Sequence, residues 1–140
     1  MRSAKHEKIY RKHITEVDKN VCTFCAIDVG HPQFVEETPF FKVIRNRFAY
    51  SLWDAQGVLE HLMLVPKRHI DSLADLKSDE KIEYVDILQR YEKRGYSVFA
   101  RAPQAVTKSI AHQHTHFIKG DGKIKRLIVS LKWPLIRIIR

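Results

Sequence analysis

Three histidines, His112, His114 and His116, fall within five positions in the segment Ser-Ile-Ala-His-Gln-His-Thr-His-Phe-Ile, residues 109–118, and they are three of the eight in the chain. On a strand, alternate spacing puts all three imidazoles on one face; on a helix it scatters them. Adjacent imidazoles repel when all are protonated, so that face is expected to meet a metal ion, a phosphate or both. Imidazole is largely neutral near pH 7 and therefore nucleophilic. It can carry a phosphoryl or nucleotidyl group that water later removes. Lys108 and Ser109 lie just before the histidines, and both side chains suit phosphate oxygens or a leaving group.

Cys22-Thr-Phe-Cys25 is the second chemical constellation. Two cysteines cannot build a disulfide scaffold. The first twenty residues carry positive charge without the apolar stretch of a secretory signal, so a cytoplasmic location with reduced thiols is expected. The pair then reads as half of a metal site or as a redox pair. Zinc takes four ligands, mostly Cys and His. His69, just past the Pro66-Lys67-Arg68 corner, suits the third position, and one of the clustered histidines the fourth. A redox pair belongs where a strand enters a helix in a thioredoxin-like fold, which this chain does not resemble.

The elements that must hold these residues are short and mixed. The chain has 140 residues, 44% of them apolar and 29% charged, enough for one packed domain and too apolar for disorder. No apolar run is long enough to span a membrane. Residues 5–19 have the thin apolar stripe of a basic helix. Strands are expected at 40–44, 46–53, 58–65, 96–100 and 109–118, with turns at 54–57 and 120–122 and a polar loop at 101–108. A helix is expected over 79–94, capped by Ser78, with Ile82, Val85, Ile87, Leu88 and Tyr91 as its apolar stripe. These elements make a single α+β domain with a mainly antiparallel sheet. In the tail, Leu127, Val129, Leu131 and Trp133 alternate before Pro134, as in a closing strand. The net charge of +9 suits anionic partners, and seven Lys or Arg fall in residues 119–140.

In this order and spacing the motifs resemble the histidine triad (HIT) superfamily, whose signature is His-x-His-x-His followed by two apolar residues. Here that run is His112-Gln-His114-Thr-His116-Phe117-Ile118. Glu60-His61-Leu-Met-Leu-Val-Pro66-Lys67-Arg68-His69 looks like the family's histidine-bearing strand ending in Pro-Lys-x-His, and Cys22-Thr-Phe-Cys25 like the amino-terminal pair of its zinc-containing members. The resemblance covers about residues 20–118. It implies a five-stranded antiparallel sheet with a packed helix, and a homodimer. It also implies a nucleotide hydrolase or nucleotidyl transferase acting at an α-phosphate, with His114 as the nucleophile and His116 on the phosphate. A structural zinc would be held by Cys22, Cys25, His69 and His112. Residues 1–19 are then an N-terminal helical extension and 119–140 a basic C-terminal strand segment.

The chain departs from the family pattern at three places. The spacers Gln113 and Thr115 are polar where apolar residues are usual, which suggests either a less buried face or a different contact. The loop before the triad lacks the usual Asn and Gly, and Arg101 and Lys108 stand in by charge. Phe48, Tyr50, Leu52 and Trp53 fall on the strand where family members place base-contacting residues. Two other functions compete: a nucleic-acid-binding or end-processing protein using the basic C-terminal segment, and a zinc protein without catalysis.

Overall fold

The structure, a computed structural model, describes residues 7–12, 21–124, 128–132 and 135–139. Six strands form one antiparallel sheet: β1 (Phe34–Glu37), β2 (Phe41–Arg45), β3 (Leu52–Trp53), β4 (Gln56–Pro66), β5 (Ser97–Ala100) and β6 (Thr115–Ile124). Their order is β1-β2-β4-β6-β5, and β3 pairs with β4 beside that path. Residues 7–12 are helical (α1), and α2 (Ser78–Lys93) crosses one face of the sheet. The expected α+β class holds, with β1 added to the expected five strands.

Strand β4 organises the rest because it is apolar on both faces, as a central strand must be. Leu62 and Leu64 join Phe41, Val43 and Phe117 on the α2 side, where Ile87 and Tyr91 close the core. Met63 and Val65 face the other way and pack with Ile44, Phe24 and Ile27. Helix α2 buries Ile87 and Tyr91 and partly buries Tyr84 and Leu88, a three-four spacing. Ile82 and Val85, expected on that stripe, are exposed.

The sheet differs from the expected strands in ways its backbone explains. Segment 46–53 is a strand only at Leu52 and Trp53; the Asn46 side chain accepts from the Phe48 N–H at 2.9 Å, a turn that ends extended structure. Asp54 and Ala55 take φ of 48° and 57°, making a two-residue hairpin turn of the type that suits strand twist, so Gln56 and Gly57 belong to β4. Strand β1 lies where no strand was expected. Residues 120–122 do not turn. They continue β6 opposite the irregular start of β4, where the register shifts twice. A Cβ on Gly120 would meet Gln56 Oε1 at 2.6 Å, and Gly122 takes φ 70°, so these glycines serve an irregular ladder.

The tail is two strands, β7 (Ile128–Lys132) and β8 (Leu135–Ile139), paired with each other in a separate antiparallel sheet, where one closing strand was expected. Leu127, Trp133 and Pro134 lie outside the described residues, as do residues 5–6 and 13–19 of the expected N-terminal helix.

Helix α2 starts at Ser78, and Lys77 is its N-cap, so the expected Ser78 cap is replaced. Glu80 does the capping: its carboxylate accepts from the Lys77 N–H at 2.7 Å and from Arg68 at 2.7 and 3.1 Å. Arg68 also donates to the Asp75 carbonyl, which ties the corner carrying His69 to the helix start. The Arg68 bond, then the backbone bond, hold the Glu80 carboxyl down at about 2. A lowered folded-state pKa adds stability above the unfolded value, and that stability is lost as pH falls toward 2. In denaturant titrations from pH 7 to pH 2, Glu80→Gln should be less stable at pH 7 and should lose less stability on acidification. Parallel pH profiles for the two proteins would contradict this.

Candidate active site and metal centre

The three clustered histidines lie on the side of the sheet opposite α2. Only His116 lies in a paired strand. His112 and His114 precede β6, because β5 has ended at Ala100 and β4 ends at Pro66, which has no N–H to give a ladder. The expected strand over 109–118 therefore starts six residues too early, and β6 runs on to Ile124. Its alternation still holds: His112, His114 and His116 share one face, and Gln113 and Thr115 turn to the other. The segment is fixed by bonds outside the ladder, among them the Gln113 N–H to the Ile70 carbonyl at 2.6 Å.

The spacers are not on a less buried face; they serve a different contact, the other of the two expectations. Gln113 is 2% exposed and Thr115 1%. Each has a polar partner that makes its burial tolerable. Gln113 Oε1 accepts from Lys108 Nζ at 2.9 Å, and Thr115 shares a 2.7 Å hydrogen bond with the Tyr84 hydroxyl on α2.

His112 is fully buried and makes three separate connections. Its Nε2 donates to the Pro66 carbonyl at 3.0 Å. Its Nδ1, left with the lone pair, lies 3.3 Å from Cys22 Sγ and 3.5 Å from Cys25 Sγ. Its own carbonyl accepts from His114 Nδ1 at 2.9 Å. Burial, and then the neighbouring His69, push the His112 imidazole down to about 4, so it stays neutral at pH 7. His69 Nδ1 lies 3.3 Å from Cys25 Sγ.

Cys22, Cys25, His69 and His112 thus bring four donor atoms within 4.8 Å of one another. This donor set fits zinc. Tetrahedral zinc with Zn–S of about 2.3 Å and Zn–N of about 2.05 Å sets S and N about 3.6 Å apart, close to the 3.3–3.5 Å seen. The hydrogen bond from His112 to Pro66 is the outer support that orients a ligating imidazole. Burial and the adjacent Cys22 raise the Cys25 thiol, a cost that a divalent cation would offset.

His114 is 7% exposed. With Nδ1 donating to the His112 carbonyl, its Nε2 carries the free lone pair. Burial lowers its pKa, and the positive charges of Lys108 and Arg101 lower it further. Neutral His114 with its lone pair on Nε2 has the form a nucleophile needs.

His116 is oriented from behind. The Tyr50 N–H donates to His61 Nδ1 at 3.1 Å, so His61 carries its hydrogen on Nε2 and donates it to His116 Nδ1 at 2.8 Å. A neutral His116 then carries its own hydrogen on Nε2. His61 was visible in sequence as a lone histidine inside an apolar strand, but its link to His116 spans 55 positions and only the sheet register shows it. Phe99 stacks on His116 at 4.3 Å between ring centres, Trp53 stacks on Phe99 at 4.5 Å, and Tyr50 on Trp53 at 5.8 Å. Of the four residues expected on one strand, Phe48 lies in a turn and Tyr50 in irregular backbone before β3.

The expected phosphate-binding residues separate. Arg101 donates to the Tyr50 hydroxyl at 2.9 Å and to Thr107 at 2.6 Å, and lies over Phe99. Lys108 Nζ donates to the Asp71 carbonyl at 2.7 Å as well as to Gln113, so it clamps the His69 loop to the triad. Ser109 is exposed in irregular backbone.

No family sequence model matches the chain, and no curated protein matches it by sequence. Solved structures do match. A HIT family hydrolase from Legionella pneumophila is 24% identical with a TM-score of 0.52, covering 81% of this chain and 98% of its own. A Zn-bound histidine triad family protein from Mycobacterium smegmatis is 20% identical (TM-score 0.53; 75% and 79% covered). A histidine triad nucleotide-binding protein from Candida albicans is 22% identical (TM-score 0.52; 82% and 84% covered). The chain therefore has the histidine triad fold.

Removal of one ligand should show whether the four donors act together. His69→Ala should weaken zinc binding more than about 100-fold in competition with a chromophoric chelator, since outer-sphere changes alone cost about 10- to 100-fold. Unchanged affinity would place the metal elsewhere.

Proposed function

From that fold and site, we propose that the chain is a nucleotide hydrolase or nucleotidyl transferase working through a nucleotidyl-His114 intermediate, with a structural zinc at Cys22, Cys25, His69 and His112. The observation that carries this reading is the His114 hydrogen bond to the His112 carbonyl, which fixes the tautomer and leaves Nε2 as the attacking atom. The Legionella and Candida proteins, named a hydrolase and a nucleotide-binding protein, support the substrate class.

In the first step the Nε2 lone pair of His114 forms a bond to the α-phosphorus. The bond to the leaving group breaks, and the leaving group keeps the electron pair. The imidazole becomes cationic, and the His112 carbonyl, already accepting from Nδ1–H, stabilises that charge. His116 presents its Nε2–H to a phosphoryl oxygen or to the leaving group, held in that tautomer by His61 and the Tyr50 backbone. In the second step water or another acceptor bonds to phosphorus and releases its proton to solvent, the N–P bond breaks, and its electron pair returns to Nε2. Arg101 and Lys108 supply positive potential beside His114 for an anionic substrate.

Zinc bound by four protein ligands has no open position for water or substrate, so its contribution is to hold the chain. The residues it would join come from the 22–25 loop, the corner after β4 and the segment before β6, three pieces that must be in place for His114 to be aimed.

Intact-protein mass spectrometry after a non-acidic denaturing quench tests the intermediate, with nucleoside phosphoramidates, dinucleoside polyphosphates and nucleotide sugars as candidate substrates. Wild type should gain one nucleotidyl mass with at least one of them. His114→Ala should gain none and lose at least about a thousandfold in turnover. Full turnover in His114→Ala would contradict the mechanism.

A further inference from the structure

Phe24 sits between the two cysteines and is only 5% exposed. One side of it belongs to the core under the sheet, with Ile27, Ile44, Met63 and Val65. The other side meets the active site. Its ring is 5.1 Å from the His114 ring, at 72° to it, and 6.1 Å from the His112 ring. Such edge-on contacts have a preferred geometry and resist sliding. His114 is therefore held by its Nδ1 bond to the His112 carbonyl and by the ring of Phe24.

The loop that carries Phe24 is clamped on both sides. Upstream and downstream of the ring stand Cys22 and Cys25, half of the four-donor cluster. Beyond them is Lys42, an unusual lysine only 5% exposed on β2. Its Nζ donates to the Ile27 carbonyl and lies 3.6 Å from Asp28 Oδ1. Turn bonds from the Cys25 N–H to the Cys22 carbonyl and from the Ile27 N–H to the Phe24 carbonyl complete the loop.

We propose that Phe24 is a positioning residue for the nucleophile and that closing the Cys22–Cys25 half-site sets the pose of His114 through its ring. This rests on the proposed function for its kinetic consequence and on the four-donor cluster for its structural one. The metal site then acts on the chemistry by two routes, through the His112 backbone and through Phe24. Only the second depends on an aromatic ring at position 24.

The test uses full-length zinc-loaded protein, its chelator-treated form, and Phe24→Leu, which keeps an apolar side chain in the core. Nitrogen-15-labelled histidine reports the His114 Nδ1–H in its bond to the His112 carbonyl through its rate of exchange with solvent, which the ring current of Phe24 does not mimic. Phe24→Leu should bind one zinc per chain, speed that exchange, and lower kcat about tenfold with KM unchanged, as expected for a misplaced reacting group. Chelation of wild type should speed the exchange. Chelation of Phe24→Leu should change it much less. The inference is overturned if Phe24→Leu leaves the exchange rate unchanged, if it matches wild type in kcat, or if chelation changes the exchange equally in both proteins. If none of the nucleotides is turned over, the functional reading falls, and the exchange comparison still decides the role of Phe24.

Discussion

Everything in the site hangs on one buried imidazole. His112 gives Nε2–H to Pro66, turns Nδ1 to two cysteine sulfurs, and offers its carbonyl to His114. The first bond fixes which nitrogen holds the lone pair. The second makes His112 a member of the donor cluster. The third fixes the tautomer of the neighbour. A buried imidazole with one polar connection missing would cost a few kcal/mol, so these arrangements are mutually enforcing. Pro66 is well suited to its part: it lacks an N–H, ends the ladder of β4, and leaves its carbonyl for His112.

The sheet supplies the second layer of control. Met63 of β4, His116 of β6 and Phe99 of β5 are register partners across the sheet, and His61 lies two residues from Met63 on the same face. The histidine at the end of the triad is thus set by strand pairing, a long-range constraint. The first two histidines are set by local bonds beyond the end of the ladder. The two mechanisms meet at Thr115, where the Tyr84 hydroxyl of α2 ties the first residue of β6 to the helix on the opposite face.

Much of the site was legible in sequence because its signals are chemical and periodic. Alternate histidines share a face whether or not the backbone is paired, so their common side was readable while the start of β6 was not. The Cys-x-x-Cys pair and His69 after the proline corner pointed to a four-ligand set, and the structure brings that set together. The helix was readable from its apolar spacing, but its cap was not: Glu80 acts through Lys77 N–H, and Ser78 is already inside the helix. Gly120-Asp121-Gly122 looked like a turn because glycine there serves a close strand approach instead. For Gln113 and Thr115 the sequence left burial open, because their partners, Lys108 and Tyr84, lie 5 and 31 positions away. Phe24 was visible only as part of the cysteine motif, since nothing local marks a ring as touching His114.

The central claim is that His112 joins a metal centre to the nucleophile through Nδ1 and its carbonyl. Protein loaded with cadmium-113 and labelled with nitrogen-15 histidine tests it directly. The account predicts scalar coupling from cadmium to Nδ1 of His112 and of His69, a proton on His112 Nε2, and a proton on His114 Nδ1. Coupling through His112 Nε2, or none to His112, would contradict it.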